Sequence, residues 1–206
     1  MKYKAVLFDL LTALIDSWTL WDAVAESSAH GRRWRAAYLR LTYGCGDYRP
    51  YEALVAAAAA EVGLAAECAV ALAARWGELQ PWPEVPRVLA AIGRGRALGV
   101  VTNCSAALGT QAVDRVGVPL ATVVTAEAAG AYKPDPRPYR RAIDALRLPT
   151  EEVLFVAGSS YDLFGTAAVG LPTVWHNRVC STMPKGAPPP LAMWHSLDAL
   201  PGFLEE

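Results

Sequence analysis

Four polar segments, each beside or between apolar runs, carry the side chains of this chain that could do chemistry. Asp9 ends the first apolar run, Thr102 and Asn103 follow the second, and Asp162 follows a later one. Lys133 lies between them in a Tyr-Lys-Pro-Asp-Pro segment. Two carboxylates, a hydroxyl with an amide, and an ammonium would together form a ligand-binding crevice if the fold brings them to one place.

Each of these side chains also has a structural interpretation. An Asp just after a strand often caps a helix or a turn, and hydroxyl and amide side chains at a strand end often cap the next helix. A lysine before Pro-Asp-Pro could be a solvated loop charge. The order of the four segments on successive strand ends is a more specific signal than any one of them, and it favours a functional crevice.

Parallel strands are the elements that must position these side chains. Uninterrupted apolar runs rich in Val, Phe and Thr predict buried strands at residues 3–8, 98–101, 121–124, 153–156 and 172–175. Helical segments alternate with the later runs, as in βαβ units, at residues 106–116, 137–146 and 161–169. Ligands bind at the carboxyl ends of such strands, where the loops converge. We therefore predict an α/β fold with an open, Rossmann-like parallel sheet.

The long connection between the first two strands is expected to be an element of its own. It carries helix-forming sequence at residues 32–43, 52–62 and 65–79. Pro81 and Pro86 mark the return to the sheet, because a proline disfavours helix at the preceding residue. The sequence predicts a core domain of residues 1–14 and 81–206 with an inserted α-helical cap domain of residues 15–80.

Composition argues against several classes of function. The 206 residues are 53% apolar, and 19 Lys and Arg against 20 Asp and Glu give a net charge of −1. That balance lacks the positive charge of a nucleic-acid-binding surface, so we expect no nucleic-acid partner. The four cysteines show no metal-ligand spacing. No signal peptide and no apolar run of about 20 residues is present, which predicts a cytoplasmic protein without a membrane partner.

The four polar segments resemble, in their order along the chain, the motifs of the haloacid dehalogenase superfamily: Asp9, Thr102, Lys133 and Asp162. Further segments are similar to the L-2-haloacid dehalogenase branch, at residues 34–35, 81–86, 132–139, 153–156 and 170–178. The resemblance spans nearly the whole chain. It implies the fold of that superfamily and a hydrolase.

The resemblance also implies covalent catalysis by a carboxylate. Asp9 would be the nucleophile, and Lys133 would keep it ionised, since an opposite charge within about 4–6 Å favours the charged form. Thr102 and Asn103 would hydrogen-bond the nucleophile or the substrate carboxylate. Asp162 would orient Lys133 or help to position the hydrolytic water, unless it is only an acid favoured by a helix dipole.

Other substrate-binding residues follow from the same resemblance. Arg35 in the cap would receive a departing halide, with a surface arginine as the alternative. Tyr139 would orient the lysine or the substrate, unless it is a buried helix residue with a bonded hydroxyl. Where the branch has Asp-x-Tyr-Gly-Thr, this chain has Leu11 and Thr12 after the first residue, and Thr12 would supply a hydroxyl displaced by one position. Ser159 replaces an asparagine of the branch, so either the substrate differs or turnover is poor.

Two missing acids separate the possible reactions. Phosphatases of the superfamily carry a second Asp where this chain has Leu11, and a further Asp where it has Gly158. Mg²⁺ needs oxygen ligands, so these losses weaken the case for metal and phosphate together. A halide leaves as a stable anion without a proton. The leading hypothesis is a metal-independent hydrolysis of short 2-haloalkanoic acids to 2-hydroxy acids, with no cofactor and a small carboxylate as partner.

Two alternative functions stay open on the sequence. One is a phosphatase of the same fold that uses Mg²⁺ and forms an aspartyl phosphate on Asp9. The other is a protein that has lost catalysis and acts by binding, because Leu11, Thr12 and Ala13 all depart from the motif. The apolar cap helices are also compatible with a homodimer.

Overall fold

A six-stranded parallel sheet forms the centre of the computed structural model, which describes residues 2–205. The chain forms strands β1 (Ala5–Asp9), β2 (Ile15–Asp16), β3 (Gln80–Pro81), β4 (Ala97–Thr102), β5 (Thr122–Thr125), β6 (Val153–Ala157), β7 (Thr173–His176) and β8 (Met193–Trp194). The sheet order is β5-β4-β1-β6-β7-β8, and all of its strand pairs are parallel. The strand order changes direction at β1, so the crevice of this sheet opens at the carboxyl end of β1.

Both faces of the sheet are covered. Val6 and Phe8 of β1 belong to one cluster of buried apolar side chains, whereas Ala5 and Leu7 belong to another. Successive side chains of a strand point to opposite faces, so β1 contributes to both clusters. This explains the uninterrupted apolar runs, and the prediction of an open parallel sheet is confirmed.

Between β3 and residue 205, the chain contributes six α-helices. They are α5 (Val85–Ile92), α6 (Ala106–Asp114), α7 (Ala126–Ala129), α8 (Pro136–Leu146), α9 (Asp162–Ala168) and α10 (Leu200–Glu205). The three helices predicted here from the sequence match α6, α8 and α9 to within about two residues. The start of α8 has a clear local cause: Asp135 accepts a hydrogen bond from the backbone N–H of Arg137, and Pro136 fits the first helical turn.

The segment between β2 and β3 is helical. It contains α1 (Ser17–Val24), α2 (Ser28–Tyr43), α3 (Tyr51–Glu61) and α4 (Ala66–Ala74), followed by a 3₁₀ turn at Trp76–Glu78. Helix α2 packs against α1 and α3, and α3 packs against α4. The segment leaves the sheet and returns to it through the antiparallel pair β2–β3. The division into a core and a cap at these residues stays a prediction.

Several elements differ from the sequence predictions. Strands β2, β3 and β8 were not expected, because a strand of two residues is too short to show an apolar pattern. Helices α1, α5, α7 and α10 were also missed, and the single helix predicted for residues 65–79 is α4 plus a separate 3₁₀ turn. Within residues 2–205, every helix is too short or too polar to cross a lipid bilayer.

Candidate active site

Asp9 is the last residue of β1 and begins a tight turn. Residues Leu10–Leu14 form one π-helical turn, a feature that is frequent at functional sites. The Oδ2 atom of Asp9 accepts the backbone N–H of Thr12 at 3.0 Å and also accepts the Thr12 hydroxyl. The structure therefore places the displaced threonine hydroxyl on the carboxylate of Asp9.

Lys133 lies between the two carboxylates. Its Nζ atom is 2.7 Å from Oδ1 of Asp9 and 3.0 Å from Oδ1 of Asp162. The hydroxyl of Tyr139 donates to the same oxygen of Asp162 at 2.6 Å, and the Tyr139 side chain is fully buried. Tyr139 thus orients Asp162, which in turn orients Lys133, and it does not reach the space beside Asp9.

The two carboxylates differ in their proton affinity. Burial raises the pKa of Asp9, but the charge of Lys133 and the hydrogen bonds from Lys133 and Thr12 bring it below its ordinary value. Burial raises the pKa of Asp162 above its ordinary value, and the negative charge of Asp9 adds to this against the opposing charge of Lys133. Asp9 is therefore ionised at neutral pH, whereas Asp162 is the better proton acceptor.

Thr12→Val tests the hydrogen bond to Asp9. Valine keeps the shape of threonine but removes the hydroxyl, so the pKa of Asp9 rises. The nucleophile role predicted for Asp9 from the sequence requires an ionised carboxylate, so the fall in kcat/KM on acidification should begin at a higher pH than in the wild type. We expect a loss in kcat of about tenfold from one charge-assisted hydrogen bond. A pH profile of kcat/KM measures both effects.

Thr12→Ser is the matched control for this prediction, because it retains the hydroxyl. The fall in its kcat/KM on acidification, the acid limb of the pH profile, should coincide with that of the wild type. If Thr12→Val and Thr12→Ser shift the limb equally, the hydroxyl is not what lowers the pKa of Asp9.

Thr102 and Asn103 are placed differently from the sequence prediction. The side chain of Asn103 accepts the backbone N–H of Lys133 at 2.7 Å and donates to its carbonyl at 2.9 Å. Asn103 thereby holds the backbone of the lysine and not the nucleophile. Thr102 is buried, and its hydroxyl lies 3.6 Å from Sγ of Cys104. It ends β4 and is not among the residues that line the cavity beside Asp9.

A cavity of about 420 Å³ opens beside Asp9. Eight of the ten residues proposed from the sequence line it, and Thr102 and Tyr139 do not. The eight are Asp9, Leu11, Thr12, Arg35, Asn103, Lys133, Ser159 and Asp162. The fold therefore collects side chains from β1, α2 and the loops after β4, β5 and β6.

Arg35 projects from α2 into this cavity and is buried. Its guanidinium donates to the Ser17 hydroxyl at 2.7 Å, and its Cζ lies 4.0 Å from the ring centroid of Trp18. The Ser17 hydroxyl donates in turn to the carbonyl of Leu11 in the turn after β1. The guanidinium of Arg35 thus contacts two neutral side chains, Ser17 and Trp18. The ion pairs with the carboxylates of Asp9 and Asp162 are made by Lys133. Arg35 is thus a buried cation with charge available for an anion.

Sequence reasoning missed several lining residues. Tyr38 and Tyr43 reach the cavity from α2, and the loop between β7 and β8 contributes Val179, Ser181, Thr182 and Pro184. Tyr38 lies three residues after Arg35, so the helical spacing could have placed it on the same face. The loop carries no such periodic signal.

The residues around Asp9 do not fit a divalent cation. The ammonium of Lys133 already bridges the two carboxylates. A Cβ at Gly158 would lie 2.1 Å from Oγ1 of Thr12 and 2.7 Å from Oδ2 of Asp9, so no acid can stand at that position. In the part of the chain that the structure describes, no three His, Cys, Asp or Glu side chains form a group that could hold a metal. Mg²⁺ prefers about six oxygen ligands.

An α/β sheet with an ionised carboxylate at its switch point, beside a lysine and beneath an arginine, defines an enzyme that works on a small anion. The sequence model described as "Haloacid dehalogenase-like hydrolase" matches residues 6–176. The chain therefore belongs to the haloacid dehalogenase-like hydrolase family.

Known relatives agree with this assignment. Haloacetate dehalogenase H-2 of Moraxella sp. (strain B) is 28% identical over 194 residues, which cover 86% of this chain and 87% of that protein. (S)-2-haloacid dehalogenase 4A of Burkholderia cepacia is 33% identical over 113 residues, 52% of this chain and 48% of the relative. A crystal structure of a dehalogenase with an intermediate complex superposes with a TM-score of 0.88 at 22% identity, covering 100% of this chain and 98% of that one.

Proposed function

We propose that this protein hydrolyses short 2-haloalkanoic acids to 2-hydroxy acids, with Asp9 as the nucleophile. One observation carries the proposal: both oxygens of Asp9 are held, one by Lys133 and one by Thr12, at a cavity where Arg35 is free for an anion. The similarity to a haloacetate dehalogenase over most of both chains supports the same substrate class.

The first half of the reaction forms an ester. A carboxylate oxygen of Asp9 attacks the α-carbon, and the carbon–halogen bond breaks with its electron pair on the halide. The halide needs no proton, so the apolar Leu11 next to Asp9 does not impede its departure. The buried guanidinium of Arg35 stabilises the leaving anion, a task that suits a weakly hydrated and permanently charged group.

The second half of the reaction regenerates the enzyme. Water adds to the ester carbonyl carbon of Asp9, and the bond from that carbon to the substrate oxygen breaks. The leaving oxygen takes up one of the two water protons and departs as the hydroxyl of the 2-hydroxy acid, while the other proton is released to solvent and leaves Asp9 ionised. The proton for the leaving oxygen passes by way of Asp162, whose raised pKa suits it as the acceptor. The water oxygen stays in Asp9. No step requires a metal or another cofactor.

The alternatives have weaker support. A phosphatase must protonate its leaving alkoxide, and Leu11 offers no proton two residues after Asp9. Position 158 has no room for the second acid. A protein that acts only by binding would not need an ionised carboxylate beside a lysine, yet this pair is assembled.

Helix α2 would act as part of a cap in this function. It brings Arg35 over the cavity, while Asp9 and Lys133 come from the sheet and its loops. The antiparallel pair β2–β3 would be the hinge, because both connections between residues 15–80 and the sheet pass through it.

Halide release tests the proposal. Purified protein in EDTA is given chloroacetate, fluoroacetate and the two enantiomers of 2-chloropropionate, and halide and hydroxy acid are both measured. We expect the two products in equal amounts, with at least one substrate turned over at an unchanged rate in EDTA. A parallel assay offers p-nitrophenyl phosphate with Mg²⁺. Phosphate release without any halide release would replace the proposal by the phosphatase alternative.

A further inference from the structure

Tyr43 reaches the cavity from the end of α2 and contacts the loop after β6. Its hydroxyl oxygen lies 3.3 Å from Oγ of Ser159. Its ring stacks on the ring of Tyr161, with centroids 4.4 Å apart and an interplanar angle of 30°. Tyr43, Ser159 and Tyr161 all line the cavity. This contact therefore joins α2 to the loop beside Asp9.

Ser159 takes part in two hydrogen bonds through its hydroxyl oxygen. Either hydroxyl of the pair with Tyr43 can donate, and we assign the donor role to Tyr43 because a phenol is more acidic than an alcohol. The Oγ atom of Ser159 also accepts the backbone N–H of Tyr161 at 3.3 Å. A hydroxyl oxygen has two lone pairs and one proton, and both lone pairs are now occupied. With this assignment, the proton of Ser159 stays available to a ligand in the cavity that Ser159 lines.

The cavity needs such a donor. A 2-haloalkanoate carries a carboxylate as well as a halogen, so two negative groups must be accommodated during the reaction. Lys133 is engaged by Asp9 and Asp162, and Arg35 suits the halide. A neutral, fixed hydroxyl can hold the carboxylate without adding charge next to the nucleophile.

We propose that Tyr43 is a positioning residue that, through Ser159, presents a fixed hydroxyl donor to the carboxylate of the ligand. The identity of that ligand rests on the proposed function. Burial raises the pKa of Tyr43 against the lowering effect of its hydrogen bond with Ser159, and the nearby carboxylates of Asp162 and Asp9 add to the rise, so the phenol stays protonated.

Tyr43→Phe tests the inference because it keeps the stacked ring and removes the donated proton. The probe is glycolate, the product expected from a haloacetate, and its Kd is measured by calorimetric titration. We expect the Kd to rise about tenfold, the value of one hydrogen bond to a charged group. The KM for a turned-over haloacetate should rise by the same factor while kcat stays within about twofold, since the contact is made in ground and transition states alike.

Ser159→Ala and the double variant show whether the two hydroxyls act as one unit. Ser159→Ala should weaken glycolate binding at least as much as Tyr43→Phe, and the double variant should be no worse than Ser159→Ala alone. Tyr3→Phe is the matched control, because the Tyr3 hydroxyl is buried without a partner among residues 2–205. Unchanged thermal midpoints exclude misfolding.

The outcomes separate this inference from the proposed function. Unchanged glycolate binding in Tyr43→Phe, effects that multiply in the double variant, or no glycolate binding by the wild type would each overturn the inference. If the wild type releases no halide but Tyr43→Phe still weakens glycolate binding, the proposed function fails and the positioning role stands.

Discussion

Asp9→Asn is expected to abolish halide release, with kcat lowered on the order of 10⁴-fold or more. An amide is a far weaker nucleophile than an ionised carboxylate, yet it has nearly the same shape. The amide oxygen can still accept from Lys133, and the amide NH₂ can donate to the Thr12 hydroxyl, so the fold should persist. Halide release from a haloacetate under saturating conditions measures the loss.

Labelled water shows whether Asp9 itself forms the ester. In a single turnover in H₂¹⁸O, the wild type should carry one ¹⁸O atom in the peptide that contains Asp9, because water attacks the ester carbonyl of the enzyme. Asp9→Asn should carry none. Asp16→Asn is the matched control, since that carboxylate only caps α1 by accepting from Thr19. Label found in the hydroxy acid and not in the protein would contradict covalent catalysis by Asp9.

Lys133→Met is expected to have the second largest effect, on both activity and stability. Methionine fills similar space but leaves Asp9 and Asp162 buried together without a cation. Breaking a buried ion pair on one side typically costs about 3–5 kcal/mol of unfolding free energy. We also expect kcat to fall on the order of 10³-fold, because Asp9 loses the charge that keeps it ionised.

The pH dependence of stability has a definite sign in this variant. In the wild type the pKa of Asp9 is below its ordinary value, so ionisation of Asp9 stabilises the fold above that range, whereas the raised pKa of Asp162 has the opposite effect as the pH rises. Without Lys133, burial raises the pKa of both carboxylates above their unfolded values, and stability is lost as the pH rises. Thermal unfolding should therefore show a gap between wild type and Lys133→Met that widens from about pH 5 to about pH 8.

The double variant Lys133→Met/Asp162→Asn separates the loss of stability from the loss of activity. Removing one carboxylate relieves the repulsion, so part of the lost stability should return, while activity stays low because Asp9 still lacks its cation. Two results would contradict the role of Lys133 in keeping Asp9 ionised. One is a stability difference between wild type and Lys133→Met that does not change with pH, and the other is a double variant that regains activity.

Much of this molecule follows from local sequence. The uninterrupted apolar runs predicted the parallel strands, since both faces of such a sheet are buried. The order of Asp9, Lys133 and Asp162 on strand ends predicted a shared crevice, because parallel strands bring their carboxyl ends to one edge. Short elements such as β2 and β8 escaped prediction because two residues carry no periodicity.

Only the tertiary structure decided how the polar groups are used. The sequence offered Thr102, Asn103 and Thr12 as similar hydroxyl and amide candidates, but which of them meets Asp9 depends on the path of the turns after β1 and β4, and sequence spacing does not fix that path. In the fold, Thr12 binds Asp9, Asn103 holds the backbone of Lys133, and Thr102 does not line the cavity.

The contribution of Tyr43 from α2 was equally hidden, whereas the family resemblance had pointed to Arg35. Arg35 and Tyr43 are far from the sheet residues in sequence, and they meet the cavity only because β2–β3 and the helix packing fold the segment back over β1. The amino-acid sequence by itself determined the sheet and the meeting of Asp9 with Lys133, because local apolar pattern and strand ends encode them. Which donors face the ligand was decided by long-range packing, because hydrogen-bond direction depends on contacts between distant parts of the chain.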